Sequence, residues 1–302
     1  MVWALDKAKQ YGWFALKLLT LIIAVWLILH TLSPIPTNSW RALSFKLWAT
    51  SPSILALLIL LSLLNWSLEI LKWQTAIRPF RVISLSRAAR ETLLAFSIGF
   101  ITPIKLGEYA VKIQFYPDLQ KKNIIITHFF CHFSQLLCTL IFGIIGLLNF
   151  DSAAVLFRYK ASWIILMAAL MLTTILLYKR FKKTVKKEPH LPGHTLIKIF
   201  VFSALRFIVF SFMLVLSLHI MGNTLVWTQI IFGIWTMYLF QVIAPTFSAL
   251  DIAIKSGGAL LIFQGIIPAQ IIMGAIVLQY CLSQIFPLII GLTLNTKTLK
   301  TQ

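Results

Sequence analysis

The feature that most constrains this chain is a series of apolar runs, each about as long as a helix that crosses a bilayer. The hydrocarbon core is about 30 Å thick, and about 20 apolar helical residues span it. Such runs extend from about Trp13 to Leu32, Ser53 to Lys72, Ile124 to Leu148, Ser162 to Tyr178, Leu196 to Ile220 and Pro268 to Leu292. Their continuity argues against an outer-membrane barrel, whose strands alternate over about ten residues. Only 12% of the residues are charged and 59% are hydrophobic, whereas soluble domains run at about 25% charged. The sequence therefore predicts an all-α polytopic membrane protein.

A formal charge of +19 in such a chain reads as an orientation signal rather than a nucleic-acid interface. Lys and Arg gather in cytoplasmic loops, where they meet anionic headgroups. The stretch with Arg78, Arg81, Arg87 and Arg90 and the loop "KRFKKTVKKEPHLPGH" are expected to be cytoplasmic; the uncharged "MGNTLVW" suits the outer side. Both termini are then cytoplasmic, in a plasma (inner) membrane. Lys7, Lys9 and Lys17 precede a first run with no small-residue cleavage site, which predicts a retained helix. Cys131, Cys138 and Cys281 fall inside apolar runs, so no disulfide framework is expected.

Two segments break the pattern. Residues 88–101 are apolar but would extend only about 21 Å as a helix. They meet Thr102-Pro103 and restart as "IKLGEYAVKIQFY". Residues 227–243 reach Pro245 and restart as "TFSALDIAIKSGGALLIFQ". Each reads as a re-entrant hairpin, at about 88–118 from the cytoplasmic side and about 227–264 from the outer side. Broken backbone at membrane depth is tolerated when it is buried in protein or lines a wet cavity. Residues 1–150 and 151–302 each become two spans, a hairpin and a span. The halves start on opposite sides, as inverted repeats do in many secondary transporters.

The restarts share a polar pattern. The first carries Lys105, Glu108 and Lys112, and the second Ser248, Asp251 and Lys255. A spacing of three then four puts each set on one helical face. Thr102 is a candidate cap with Pro103 at the first helical position, and Ser248 with Asp251 fits a capping-box spacing. A helix N-terminus inside a membrane is a candidate anion site, which Gly107 would leave open to a headgroup. The substrate-binding set is therefore Lys105, Gly107, Glu108, Lys112, Ser248, Asp251 and Lys255, with Thr102, Pro103 and Pro245 at the breaks.

In "HFFCHFSQ", His128, His132 and Gln135 share a face. An i,i+4 His pair can bind a metal or haem, but no HExxH pattern or neighbouring carboxylate completes a site in the sequence. Hydrogen bonding between membrane helices is the expected role, with no metal and no cofactor. Asn65 and Glu69 share a face of the second span, and Glu69 is expected to pair with Lys72 or Arg78.

The motif Pro103, Gly107, Glu108, Lys112 resembles the "P-x-x-x-G-E-x-x-R" pattern of the flippase-like family named after the transmembrane region of lysylphosphatidylglycerol synthase. Pro245, Asp251 and Lys255 occupy the place of the family's second motif, and Lys72-Trp73 stands for a common Arg-Trp. The resemblance covers nearly the whole chain. It implies a translocator moving a phospholipid or lipid-linked headgroup between leaflets, as a stand-alone member without an aminoacyl transferase domain. No Walker loop, nucleophile–His–acid set or soluble segment of about 100 residues suggests an enzyme or ATP-driven pump. The alternative is a non-catalytic membrane partner of a separately encoded glycosyltransferase or lipid-modifying enzyme.

Overall fold

The computed structural model describes residues 36–100, 105–116, 121–150, 191–243 and 251–294, with the single residues Ile22, Trp26, Ser33, Thr102 and Leu119. Regular structure among the described residues is entirely helical: α1 (Thr37–Ala49), α2 (Pro52–Ile77), α3 (Leu85–Gly99), α4 (Leu106–Gln114), α5 (Lys121–Asn149), α6 (Gly193–Ile220), α7 (Trp227–Ile243), α8 (Asp251–Ile262) and α9 (Ala269–Thr293). Of these, α2, α5, α6 and α9 are long and apolar enough to cross a membrane, which makes the chain compatible with a multi-pass membrane protein. The expected spans at 13–32 and 162–178 lie outside the described residues. So do Pro103, Pro245, Ser248 and most of the basic loop after residue 178.

Two boundaries differ from expectation. No apolar run covers residues 37–49, yet α1 begins at Thr37, directly after Pro36. Proline is tolerated at a helix start because the first N–H groups have no intrahelical partner. The second span continues five residues beyond Lys72, to Ile77. Trp73, Ala76 and Ile77 are completely buried, so packing carries the helix past the apolar run. Arg78 keeps helical backbone as the C-cap, and Pro79 after it has no N–H to continue the helix.

The outward faces suit lipid. Leu57, Ile59, Leu60, Leu63 and Leu64 of α2 are exposed, as are Ile197, Val201, Leu205 and Ile208 of α6. Exposed apolar area on this scale calls for a non-aqueous surrounding.

The helix α9 is one run interrupted by a π-turn at Cys281–Ile285. Pro287 follows and has no N–H to offer the carbonyl four residues back, that of Ser283. In place of the missing donor, Trp66 Nε1 donates to Ser283 O at 2.9 Å, and Ser62 Oγ donates to Leu282 O at 2.7 Å. Both donors sit on α2, so the break in α9 becomes its attachment to the second span.

Packing follows a regular scheme. The long helices α2 and α6 lie against each other, α5 packs on α7, and α9 packs on α3. The short arms α4 and α8 fold back against α3 and α7. Glycines set the close crossings. A Cβ on Gly146 of α5 would lie 2.7 Å from Phe232 O and 2.8 Å from the Thr236 N of α7, and one on Gly291 of α9 would collide with Ser97 Oγ and Leu93 O of α3. Small residues at such crossings let backbones approach where van der Waals packing drives association.

Gly146→Val and Gly291→Val are each expected to lower the melting temperature of the detergent-purified protein, because overpacking costs about 1–3 kcal/mol. Gly257→Ala, where a Cβ meets nothing within 4 Å, should leave the melting temperature unchanged or slightly raised. Thermal unfolding followed by intrinsic fluorescence checks all three.

Candidate functional site

The first break is a tight reversal between α3 and α4. Thr102 N–H donates to Gly99 O and Lys105 N–H to Thr102 O, each at 3.2 Å. Thr102 Oγ donates to Gly99 O at 3.1 Å and accepts from Gly107 N–H at 2.8 Å. Thr102 thus does cap the second arm. The helix itself opens at Leu106, three residues past Pro103. Lys105 precedes it with φ of 56°, a left-handed conformation uncommon for a residue with a side chain.

Gly107 does not have the role its sequence position suggested. A Cβ there would lie 2.7 Å from Ile98 O, so the space expected for a headgroup is filled by the α3 backbone. Its N–H is already taken by Thr102. Gly99 lies opposite, and a Cβ on it would collide with Glu108 Cγ. The two glycines let the arms of the hairpin touch and lay the Glu108 side chain across α3.

From there Glu108 reaches α5. Its Oε2 lies 3.3 Å from His128 Nε2 and 3.4 Å from His132 Nε2, while the two imidazole nitrogens are 3.0 Å apart. Lys105 Nζ stands 4.0 Å from Glu108 Oε1. The Tyr109 ring packs on both imidazoles, with centroids 4.4 Å from His128 and 6.0 Å from His132. The sequence reading found no carboxylate near the His pair; the fold supplies one from twenty residues upstream. Gln135 takes no part in this cluster among the described residues.

Lys112 does not turn to Glu108, four residues earlier. Its Nζ is 3.1 Å from His128 Nδ1 and 3.8 Å from the centroid of the Trp73 ring, a cation–π arrangement in a desolvated place. Trp73 in turn is fixed from below. Its Nε1 donates to Glu91 Oε2 at 2.8 Å, Tyr116 Oη donates to the same oxygen at 2.6 Å, and Arg87 Nε donates to Glu91 Oε1 at 2.9 Å. Glu91 is completely buried and holds these three elements in register.

A second ionic group joins α2 to α6. Glu69 Oε2 accepts from Lys72 Nζ at 2.6 Å and from Arg206 Nη1, and Arg206 Nε donates to Asn65 Oδ1 at 3.2 Å. The pairing with Lys72 matches expectation, but the second cation is Arg206 rather than Arg78.

The second break behaves differently. Asp251 opens α8, and Lys255 Nζ lies 2.6 Å from its Oδ2. Lys255 is buried, with Nζ 4.4 Å from the centroid of Phe210 on α6 and 5.9 Å from that of Tyr238 on α7. Phe210 stands four residues after Arg206 on α6, and Lys112 lies over Trp73, the chain neighbour of Lys72. A stripe of charge therefore runs from the first hairpin, through the α2–α6 junction, to the second.

Three members of this stripe went unremarked in the sequence. Arg206 is the only Lys or Arg between Lys198 and Lys255, and a lone cation in an apolar run is a signal in itself. Glu91 stands four residues after Arg87, a helical ion-pair spacing. Tyr109 carries no such mark. No model of a known protein family matches the chain, and neither does any curated protein.

Glu91→Ala should destabilise the protein by about 3–5 kcal/mol, the usual cost of removing one partner from a buried charge pair. It leaves the guanidinium of Arg87, the indole N–H and the phenol without their acceptor. Chemical or thermal unfolding in detergent checks this. Quenching of Trp73 emission should change in the same variant, because the indole loses its anchor.

Proposed function

We propose that the chain is a flippase-like translocator that moves an anionic phospholipid or lipid-linked headgroup between leaflets, with the headgroup passing along the buried ionic stripe. The observation that carries this reading is a surplus of positive charge. Among the described residues of the stripe, the cations Lys72, Arg87, Lys105, Lys112, Arg206 and Lys255 outnumber the carboxylates of Glu69, Glu91, Glu108 and Asp251. Each intramembrane charge costs about 2.5–3.5 kcal/mol on insertion scales, so an unbalanced set calls for an anion to complete it. A phosphate is the anion that a membrane itself provides.

The packing scheme supports two inverted halves, 1–150 and 151–302. Exchanging α2 with α6, α3 with α7, α4 with α8 and α5 with α9 turns each major packing pair into another. The contact of α5 with α7 becomes that of α9 with α3, and α2 with α5 becomes α6 with α9. The contact of α2 with α6 maps onto itself, as a pair related by a two-fold exchange would. Transporters built this way carry their sites at the interface of the repeats, beside broken helices. The reading keeps six full spans, two of them at 13–32 and 162–178, and a multi-pass chain in the plasma (inner) membrane with cytoplasmic termini. The motif around Pro103, Gly107, Glu108 and Lys112 adds the resemblance to the flippase-like family.

Within this mechanism the cations divide. Lys255 is held by Asp251 at rest, and Lys72 by Glu69. Lys105, whose side chain is 42% exposed, and Lys112, which is paired with a neutral ring nitrogen rather than a carboxylate, are the cations that take a phosphate. Rocking of the halves about the α2–α6 junction would pass the headgroup from one hairpin to the other, and the acids would re-pair behind it.

Purified protein in proteoliposomes should move a fluorescent anionic phospholipid between leaflets, read by dithionite quenching. The Glu108→Gln, Asp251→Asn double variant should lose about tenfold or more of that rate, since the acids orient the lysines. Wild-type rates in the double variant would reject the site. If the pure wild-type chain moved no lipid but co-purified with a glycosyltransferase or lipid-modifying enzyme, the partner-subunit alternative would replace the transport reading.

A further inference from the structure

The cluster of Glu108, His128 and His132 has more structure than proton-mediated hydrogen bonding accounts for. We propose that these three side chains form a binding site for a divalent transition-metal ion of the Zn2+ class, held by Glu108 Oε2, His128 Nε2 and His132 Nε2. The proposal stands whether or not the chain moves lipid.

The first support is metric. Zn–N and Zn–O bonds of about 2.0–2.1 Å in a tetrahedron put neighbouring donor atoms about 3.3 Å apart. The three separations here are 3.0, 3.3 and 3.4 Å. The three atoms thus mark one face of a tetrahedron of the right size, and they are the only such group among the described residues.

The second support is a conflict among protons. His128 Nδ1 faces the Lys112 ammonium at 3.1 Å and must accept from it, which puts the ring hydrogen of neutral His128 on Nε2. If His132 Nε2 also carries a hydrogen, the 3.0 Å contact between the two nitrogens opposes donor to donor. If His132 Nε2 is bare, its 3.4 Å contact with Glu108 Oε2 opposes acceptor to acceptor. Each nitrogen offers a single donor or acceptor site, so with Glu108 as the carboxylate one edge of the triangle is unfavourable. A cation at the centre of three lone pairs satisfies all three edges at once.

Ligand chemistry and access agree. Two imidazoles and a carboxylate suit Zn2+ and its neighbours rather than Mg2+ or Ca2+. His128 is buried, whereas the His132 side chain is 31% exposed, which gives an ion a way in. Three protein ligands leave a fourth position open for water or a phosphate oxygen, as in sites that act on a substrate. The Tyr109 ring against both imidazoles fixes their planes. Lys112 competes with the ion. With metal on Nε2, the remaining ring hydrogen of His128 moves to Nδ1 and confronts the ammonium, which must withdraw over the Trp73 ring.

The full chain, purified in detergent and stripped with a chelator, should be titrated with Co2+ and followed by its visible d–d bands. One saturable equivalent is expected, with the strong absorption of a four- or five-coordinate ion, displaced by Zn2+. His132→Ala, chosen because this imidazole is partly exposed, and Glu108→Gln should each weaken uptake by about a hundredfold. Lys112→Met should tighten it, and His219→Ala, at an imidazole stacked on Trp227, should leave it unchanged. Absence of saturable uptake at micromolar Co2+ overturns the site. Undiminished uptake in a folded His132→Ala variant overturns it too, and that variant decides alone if Glu108→Gln fails to fold.

Discussion

A carboxylate or ammonium that enters hydrocarbon has to find its counter-charge inside the protein, because no solvent is there to supply one. The junction of α2 and α6 rests on this constraint. Neither helix could hold its ionic residues alone: Glu69 would face Lys72 with an unused lone pair, and Arg206 would stand isolated in an apolar run. Together they close a group in which Glu69 accepts from both cations and Asn65 takes the remaining guanidinium edge. Lys112 reaches toward this group over the ring of Trp73, the chain neighbour of Lys72, and Lys255 over that of Phe210, four residues after Arg206. Leu58, Trp66 and Phe207 of the same two helices are buried in the apolar core.

The spans were legible because hydrocarbon imposes a length and a composition that few other environments require. α5, α6 and α9 appear within a few residues of their expected limits. α1 was not legible. Thr37–Ala49 carries Arg41 and Lys46 on a helix with no apolar run, and what holds it is remote: Lys46 Nζ donates to Met221 O at 3.0 Å. The π-turn of α9 was equally hidden, since Pro287 announces a lost hydrogen bond without saying which indole repairs it.

The site was legible in its acids and lysines but not in its pairings. Spacing along a helix states which residues share a face; it does not state which partner wins. Glu108 and Lys112 were i,i+4 neighbours by number, yet each found a better partner across a helix crossing. Gly107 shows the same limit from the other side. Read as a gap for a ligand, it is a gap for the backbone of α3, because a glycine at a re-entrant reversal serves the nearest strand of chain first. The His pair was recognised for what it can bind, and its carboxylate was missed because twenty residues and a chain reversal intervene.

The two hairpins have thus kept one pattern and put it to different uses. In α8 the acid and its lysine close on each other, and the aromatic rings of Phe210 and Tyr238 take up what charge remains on the ammonium. In α4 the same two positions are pulled apart, because α5 offers imidazoles that α9 does not: the corresponding face of the last helix presents Gln279 and Tyr280. The closed pair leaves Lys255 held directly by Asp251. The open pair leaves a carboxylate, two imidazoles and two lysines gathered at one point with their mutual contacts unresolved. The shared spacing of acid and lysine therefore does not carry over into shared pairings.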